Sequence, residues 1–252
     1  SEIYHLAGQS HVGLSFEIPE STCEEVGMAT LRLLEIARDQ PEPVKFYHAS
    51  SSEIFGNAAE SPQTETTPLR PASPYGCAKA FATQLARVYR DSYGLFVCNG
   101  ILYNHESPRR GENFVTRKIA RAAARIARGL DQELSLGNLE SRRDWGRAQD
   151  YVVAMWLMLQ QDKPDDYVVA TGEPHSVRDF VEAAFAAVNL PWEKYVKRDP
   201  AFDRPTDPVR LVGSPEKIKS ATGWQPRVSF QDLVREMVEA DLAAIDAASE
   251  SN

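Results

Sequence analysis

Tyr75 and Lys79 stand four residues apart in the segment SPYGCAK, within a stretch of helical character, so both side chains leave one face of that helix. An ammonium beside a phenol favours the phenolate and draws down a pKa that is ordinarily about 10. A tyrosine so placed can take the proton of an alcohol while a neighbouring nicotinamide takes the hydride. Ser51 lies upstream, at the end of the apolar run VKFYHAS, where open α/β sheets place their ligands. Its hydroxyl can share the proton of the same oxygen. Glu53 follows two positions later, and strand alternation puts it on the same side. Once an alcohol is oxidised to a ketone, a carboxylate there can remove the acidified proton on the next carbon. The same group, protonated, can assist departure of a hydroxyl as water.

A second polar constellation occupies GILYNHESPRRGENFVTRKI, residues 100–119. Asn104 can hydrogen-bond a sugar or phosphate oxygen. Arg109, Arg110, Arg117 and Lys118 form a local positive pocket in an acidic protein, whereas Arg121, Arg125 and Arg128 read as a solvated helix face. Further on, Gly137, Arg143, Asp144 and Trp145 fall in LGNLESRRDWG, and Arg204 and Asp207 in FDRPTDP. Asp150 favours the N-terminus of the helix it begins, and His11 reads as structural.

These residues need a scaffold, and the hydrophobic pattern supplies one. Strands are expected at 3–7, 44–50, 95–102, near 134–137 and at 167–171, and helices at 21–38, 74–93, 115–128, 148–161 and 177–189. Two closing helices are expected around 215–221 and 230–247, a loop over 199–213, and a frayed tail from Ala248 to Asn252. Strands alternating with long helices imply a parallel sheet with right-handed crossovers, hence a doubly wound α/β fold. The first three strands match the later half of a dinucleotide-binding sheet.

Composition narrows the function classes. A chain of 252 residues with 42% hydrophobic and 25% charged residues fits an ordinary globular protein. Its net charge of −8 argues against a broad nucleic-acid-binding surface. No apolar run approaches the roughly 20 residues that span a bilayer, so no membrane partner is expected and a cytoplasmic setting is the default. Cys23, Cys77 and Cys98 lie far apart without a CxxC pair, which indicates neither a zinc site nor a disulfide framework, and no metal is expected.

The Ser51, Tyr75 and Lys79 set resembles the short-chain dehydrogenase/reductase superfamily in its extended, sugar-nucleotide branch, where SPYxxxK is common. Glu53, single in ASSSEIFG where dTDP-glucose-type dehydratases have an Asp–Glu pair, and NHESPRRG with FVTRKI resemble the GDP-mannose 4,6-dehydratase family. LAGQSHVGLSF, residues 6–16, is similar to that family's LAAQSHVxxSF, with Gly8 in place of the second alanine.

The resemblance implies a Rossmann-like doubly wound sheet with a smaller C-terminal α/β region. Residues 1–105 would be the remainder of the NADP-binding domain with the catalytic residues. Residues 106–252 would mainly bind the GDP-sugar, with segments returning to the first sheet. It implies Ser51, Glu53, Tyr75 and Lys79 as catalytic residues. Leu6, Ala7, Gln9, Ser50, Tyr75, Lys79, His105 and Arg110 would lie along NADP. Asn104, Thr116, Lys118, Gly137, Arg143, Arg204 and Asp207 would lie along GDP-mannose, Asp207 standing where the family has glutamate. A homodimer or homotetramer is implied as well, with the helices over 21–38 and 74–93 as its surfaces.

No GxxGxxG occurs in these 252 residues; the family carries that turn ahead of the segment matched here, and NADP is therefore an implication of the resemblance. Two other readings stay open. One is a GDP-4-keto-6-deoxymannose reductase or related epimerase, which Glu53 and NHESPRRG count against. The other is a non-catalytic nucleotide-sugar-binding remnant, which the missing glycine turn favours, and on which the chain alone should turn over poorly.

Overall fold

Parallel strands cannot be joined by a tight turn, so each pair needs a crossover, and the chain supplies a helix or a long connection each time. A computed structural model describes residues 1–202 and 210–250. In chain order the elements are β1 (Glu2–His5), α1 (Pro19–Cys23), α2 (Ala29–Arg38), β2 (Lys45–Ser51), α3 (Pro74–Tyr93), β3 (Phe96–Leu102), β4 (Asn104–Glu106) and α4 (Val115–Ala127). Then come β5 (Leu134–Leu136), β6 (Arg142–Arg147), α5 (Ala148–Leu159), β7 (Asp166–Val169), β8 (Pro174–Ser176), α6 (Val177–Ala186), β9 (Val196–Arg198), β10 (Arg210–Leu211), α7 (Glu216–Thr222) and α8 (Phe230–Glu250).

The main sheet runs β1-β2-β3-β7, all parallel. Both faces are covered. Leu34, Phe46, Ala86, Tyr89 and Val97 pack between the sheet and helices α2 and α3. On the opposite face Tyr47, Cys98, Tyr151, Met155 and Met158 pack under α5. The expected doubly wound α/β fold is the observed one, and it explains why β3 is mostly apolar and buried along almost its whole length.

A second layer joins β10-β6-β4, with β8 antiparallel to β6, and β5 pairs with β9. Its core lies among α4, α6 and α8, where Ile119, Phe180, Phe185, Val234 and Met237 are buried. The segment after β6 returns to the first sheet: α5 packs on it and β7 pairs with β3.

Helix α3, which carries Tyr75 and Lys79, is set by local signals at both ends. The Ser73 hydroxyl accepts from the Gly76 N–H (3.0 Å), Pro74 occupies the first turn, and Gly94 ends the helix at φ +69°. Its far end is tied to the sheet by Asp166, which is almost fully buried and accepts from Arg87 (2.5 Å), Arg90 (2.8 Å) and Asn99 (2.8 Å). Burial alone would raise the Asp166 pKa, but Arg90 and Arg87 outweigh it and hold the carboxyl below its usual value.

Several expectations need correction. The strand placed at 3–7 covers Glu2–His5, because the chain turns at Gly8, where φ is +131°. The helix placed at 21–38 begins at Pro19 and is interrupted by a wide π turn over Glu24–Met28, with Val26 and Gly27 buried. The tail expected to fray from Ala248 is helical through Glu250. The loop expected over 199–213 contains a 3-10 turn at Pro200–Phe202 and the strand β10. Strands β4, β6, β8 and β9 were not expected at all. They are short and partly polar, and they exist because remote segments pair with them.

Candidate active site

At the C-terminal ends of β2 and β3, beside β4 and the first half of β6, the two layers enclose a cavity of about 500 Å³. A doubly wound sheet opens its crevice at these strand ends. Ser50, Ser51, Glu53, Tyr75, Lys79, Asn104, His105, Arg110, Thr116, Gly137 and Arg143 all line it, as do Leu6 and Gln9. Residues separated by more than a hundred positions are thus brought to one wall.

The catalytic quartet is assembled differently from the expectation. Ser51 ends β2, and its hydroxyl accepts from the Glu53 N–H (3.2 Å), which starts a 3-10 turn over Ser52–Ile54. Glu53 therefore reaches the cavity through this turn, not through strand alternation. Ser51 lines the cavity beside Tyr75. Tyr75 is buried, and desolvation pushes its pKa up to about 12; the Ser51 hydroxyl works against that rise, Glu53 adds to it, and Arg110 opposes it.

Lys79 departs further from the expectation. Its Nζ donates to the Ala49 carbonyl (2.7 Å) and lies 5.8 Å from the centre of the Tyr75 ring. Burial draws its pKa down to about 8. The ammonium is thus seated on a backbone carbonyl beside Tyr75 and is not in direct contact with the phenol oxygen.

His105 is fixed by two contacts. Its Nδ1 lies 2.9 Å from the Tyr103 carbonyl, and its ring stacks on Tyr151 at 5.1 Å. A bond to a carbonyl requires the proton on Nδ1, which leaves Nε2 as an acceptor. Burial lowers its pKa, so the ring is neutral. The stack depends on Gly146 in β6: a Cβ there would overlap the Tyr151 ring, whose hydroxyl lies 2.8 Å away. Gly146→Ala should push Tyr151 aside and unseat His105, destabilising the fold by about 1–3 kcal/mol. A thermal melt combined with a nicotinamide-binding titration would read both effects.

The buried Glu106 accepts from the Thr116 hydroxyl (2.6 Å), so Thr116 lines the cavity with its hydroxyl already engaged. Arg143 is nearly buried and donates to the Arg142 carbonyl (2.7 Å). Its neighbour Asp144 is turned away. It is fully buried, accepts from the Thr171 N–H and hydroxyl and the Gly172 N–H, all at 2.8 Å, and burial pushes its pKa up to about 6. It fixes the β7–β8 turn and does not face a ligand. Asp150 likewise accepts from the Arg227 N–H (2.9 Å) and so ties down the segment ahead of α8. His11 shapes a turn, accepting from the Leu14 N–H (3.0 Å), and meets Phe114 edge-on at 5.5 Å.

Two expected ligand contacts are not brought to the cavity. Ala7 is exposed outside its lining. Lys118 donates to the Ser135 carbonyl (2.7 Å) and lies 3.7 Å over Phe202, bracing the rim from behind. Arg204 and Asp207 lie outside the described residues. Conversely, Asn138, Ser141, Val177, Arg198 and Phe202 line the cavity and were not anticipated. Asn138 and Ser141 lie between the flagged Gly137 and Arg143, which is a usable signal. Arg198 arrives through the β5–β9 pairing, for which no local signal exists. Among the described residues no three His, Cys, Asp or Glu side chains gather to hold a metal.

The family model described as GDP-mannose 4,6 dehydratase matches residues 1–237. GDP-mannose 4,6 dehydratase 1 of Arabidopsis thaliana is 54% identical over 245 residues, covering 96% of this chain and 68% of the relative. The chain belongs to the GDP-mannose 4,6-dehydratase family. The human GDP-mannose 4,6 dehydratase is 49% identical over 261 residues, covering 96% of this chain and 70% of its own length. Among solved structures, RMD from Pseudomonas aeruginosa complexed with NADPH superimposes with a TM-score of 0.89 at 26% identity, covering 96% of this chain and 82% of that one. Within the GDP-mannose 4,6-dehydratase family, the NHESPRRG segment thus has a structural place: its first three residues form β4, and Asn104, His105, Glu106 and Arg110 line the cavity with the quartet.

Proposed function

We propose that this chain carries the catalytic site of an NADP-dependent GDP-mannose 4,6-dehydratase, which converts GDP-mannose to GDP-4-keto-6-deoxymannose. The observation that carries the reading is Glu53 gathered with Ser51, Tyr75 and Lys79 in one cavity beneath Asn104, His105 and Arg110. An epimerase or reductase has no use for a carboxylate at that point.

The residues present fit the nicotinamide end of such a cofactor. Lys79 has ammonium protons beyond the one given to Ala49, and neutral His105 offers an acceptor for a carboxamide N–H. Gly8, at φ +131°, brings bare backbone to the cavity mouth. A nicotinamide cofactor, when bound, supplies the acceptor for the hydride from sugar C4 and returns it at C6. Tyr75, with Ser51 in the same cavity, takes the proton of the C4 hydroxyl. Glu53 removes the C5 proton and, now protonated, gives it to the C6 oxygen, which leaves as water. The proton held on Tyr75 then goes to C5, so the sugar loses one water and both side chains return to their starting states. Arg143, which lines the same cavity as the quartet, suits the diphosphate.

The exposed Phe81, Val88 and Tyr93 of α3 and Ile36 of α2 support a homodimer or homotetramer through these helices. The three unpaired cysteines support a reducing, cytoplasmic setting. Among the described residues no helix is long and apolar enough to cross a membrane. Mass spectrometry of GDP-mannose incubated with the protein and NADP tests the central reading. A product lighter by one water, with no net NADPH, is expected. Unchanged sugar would overturn the substrate assignment, and consumption of one NADPH per sugar would establish a reductase.

A further inference from the structure

We propose that Thr83, which stands behind the cavity, is a positioning residue: it fixes Ser50 as a hydrogen-bond acceptor toward the bound cofactor and ties the end of β2 to the helix of Tyr75 and Lys79. The proposal rests on the cavity taking a nicotinamide cofactor.

Two adjacent residues of β2 are tied to two residues of α3 that lie one turn apart. The Ala49 carbonyl accepts from Lys79 Nζ (2.7 Å), and the Ser50 and Thr83 hydroxyl oxygens lie 2.6 Å from each other. Thr83 is fully buried and outside the cavity lining, whereas Ser50 belongs to that lining. Thr83 is held from the sheet as well. Its carbonyl accepts from the Asn99 side-chain amide (3.3 Å), which also donates to Asp166 (2.8 Å). This turn of α3 is therefore fixed to β2 and β3 at once.

The direction of the Ser50–Thr83 bond follows from counting protons. Thr83 Oγ1 donates to the Lys79 carbonyl (2.8 Å), and a hydroxyl carries one proton. The shorter bond must then run from Ser50 to Thr83. Ser50 has thereby committed its only proton away from the cavity, and its oxygen meets the cavity as an acceptor. That wall suits an N–H or O–H of the cofactor and disfavours a carbonyl or phosphate oxygen, which would find no donor there. A buried threonine commonly bonds back to its own helix, which accounts for the bond to Lys79. It does not account for a cavity-lining serine whose proton ends on that threonine.

The test compares the parent with Thr83→Val, which keeps the shape without the hydroxyl, and Thr83→Ser, which keeps the hydroxyl. Three readouts are taken: NADP affinity by fluorescence titration, kcat and KM for GDP-mannose at saturating NADP, and hydrogen–deuterium exchange of the protein alone. Thr83→Val is expected to weaken NADP binding about tenfold, the equivalent of one hydrogen bond, while kcat falls by no more than about threefold. KM for GDP-mannose should hold. Residues 49–56 should exchange severalfold faster, with α8 unchanged. Thr83→Ser should restore most of the affinity and the slow exchange, which separates the hydroxyl from the packing. Faster exchange throughout the chain, or faster exchange at 49–56 with NADP affinity unmoved, would leave Thr83 a purely structural residue and overturn the proposal. The expected Thr83 pattern in a parent that binds NADP but never dehydrates GDP-mannose would sustain the positioning role while refuting the proposed function. A parent that binds no NADP would refute both.

Discussion

Glu53→Gln should stop dehydration while leaving oxidation at C4 in place. The carboxylate is asked to accept the C5 proton and then deliver it to the C6 oxygen, and an amide can do neither. General acid–base groups contribute about 100- to 10,000-fold, and one residue serving both roles places the expected loss of kcat near the upper end. The side chain sits on a 3-10 turn anchored by its own N–H to Ser51, so the substitution leaves the local backbone intact. It also removes the negative charge that raises the Tyr75 pKa, which favours the first proton transfer. Rapid mixing with GDP-mannose and NADP should therefore show a burst of reduced nicotinamide with no product. Nucleotide-sugar affinity should stay within about twofold, since an uncharged isostere fills the same space. Product formed at an undiminished rate with weakened affinity would instead make Glu53 a binding residue.

Lys79→Met should stabilise the fold while weakening turnover, because it removes the ammonium beside Tyr75. Burial lowers the Lys79 pKa from 10.5 to about 8. For a base with a depressed pKa the folded state prefers the neutral form. The stability that the neutral form contributes is complete above pH 10.5 and is lost as pH falls through about 8. At neutral pH the ionised ammonium accordingly costs the fold roughly 3 kcal/mol, at 1.36 kcal/mol per pKa unit. Loss of the hydrogen bond to the Ala49 carbonyl offsets about 1 kcal/mol of the gain. Methionine follows the lysine stem without branching and suits an irregular gap. Melting temperatures should rise by a few degrees at pH 7, with the advantage shrinking toward pH 10. A variant that melts at or below the parent at pH 7 would mean that the ammonium is compensated by its surroundings. The expected gain is an instance of stability given up at a site for activity.

The membership of the chain in its family was legible because motif residues lie close together in sequence. Tyr75 and Lys79 share a helix face by spacing alone, and Ser73, Pro74 and Gly94 mark that helix with local signals. The strands β2 and β3 could be read because a sheet covered on both faces concentrates apolar residues in short runs, even with His48 and Asn99 among them. Nothing comparable announces β6. RRDWGR is mixed in polarity, and it becomes a strand by pairing with β4, β8 and β10.

What spacing determines, then, is which side chains leave one face of one element. Charge states and partners were decided by the tertiary structure, since they depend on burial and on groups far away in the chain. Asp144 is adjacent to the cavity-lining Arg143, yet strand alternation and the β7–β8 turn take it out of the site. Lys118 belongs to a basic segment and serves the rim through Ser135. Lys79 has the right spacing to face Tyr75, but only the fold buries its ammonium and seats it on the Ala49 carbonyl. Periodicity is a property of a few consecutive residues, and it places side chains on a face. Dielectric environment is a property of everything packed around a group, and only the folded chain assembles it.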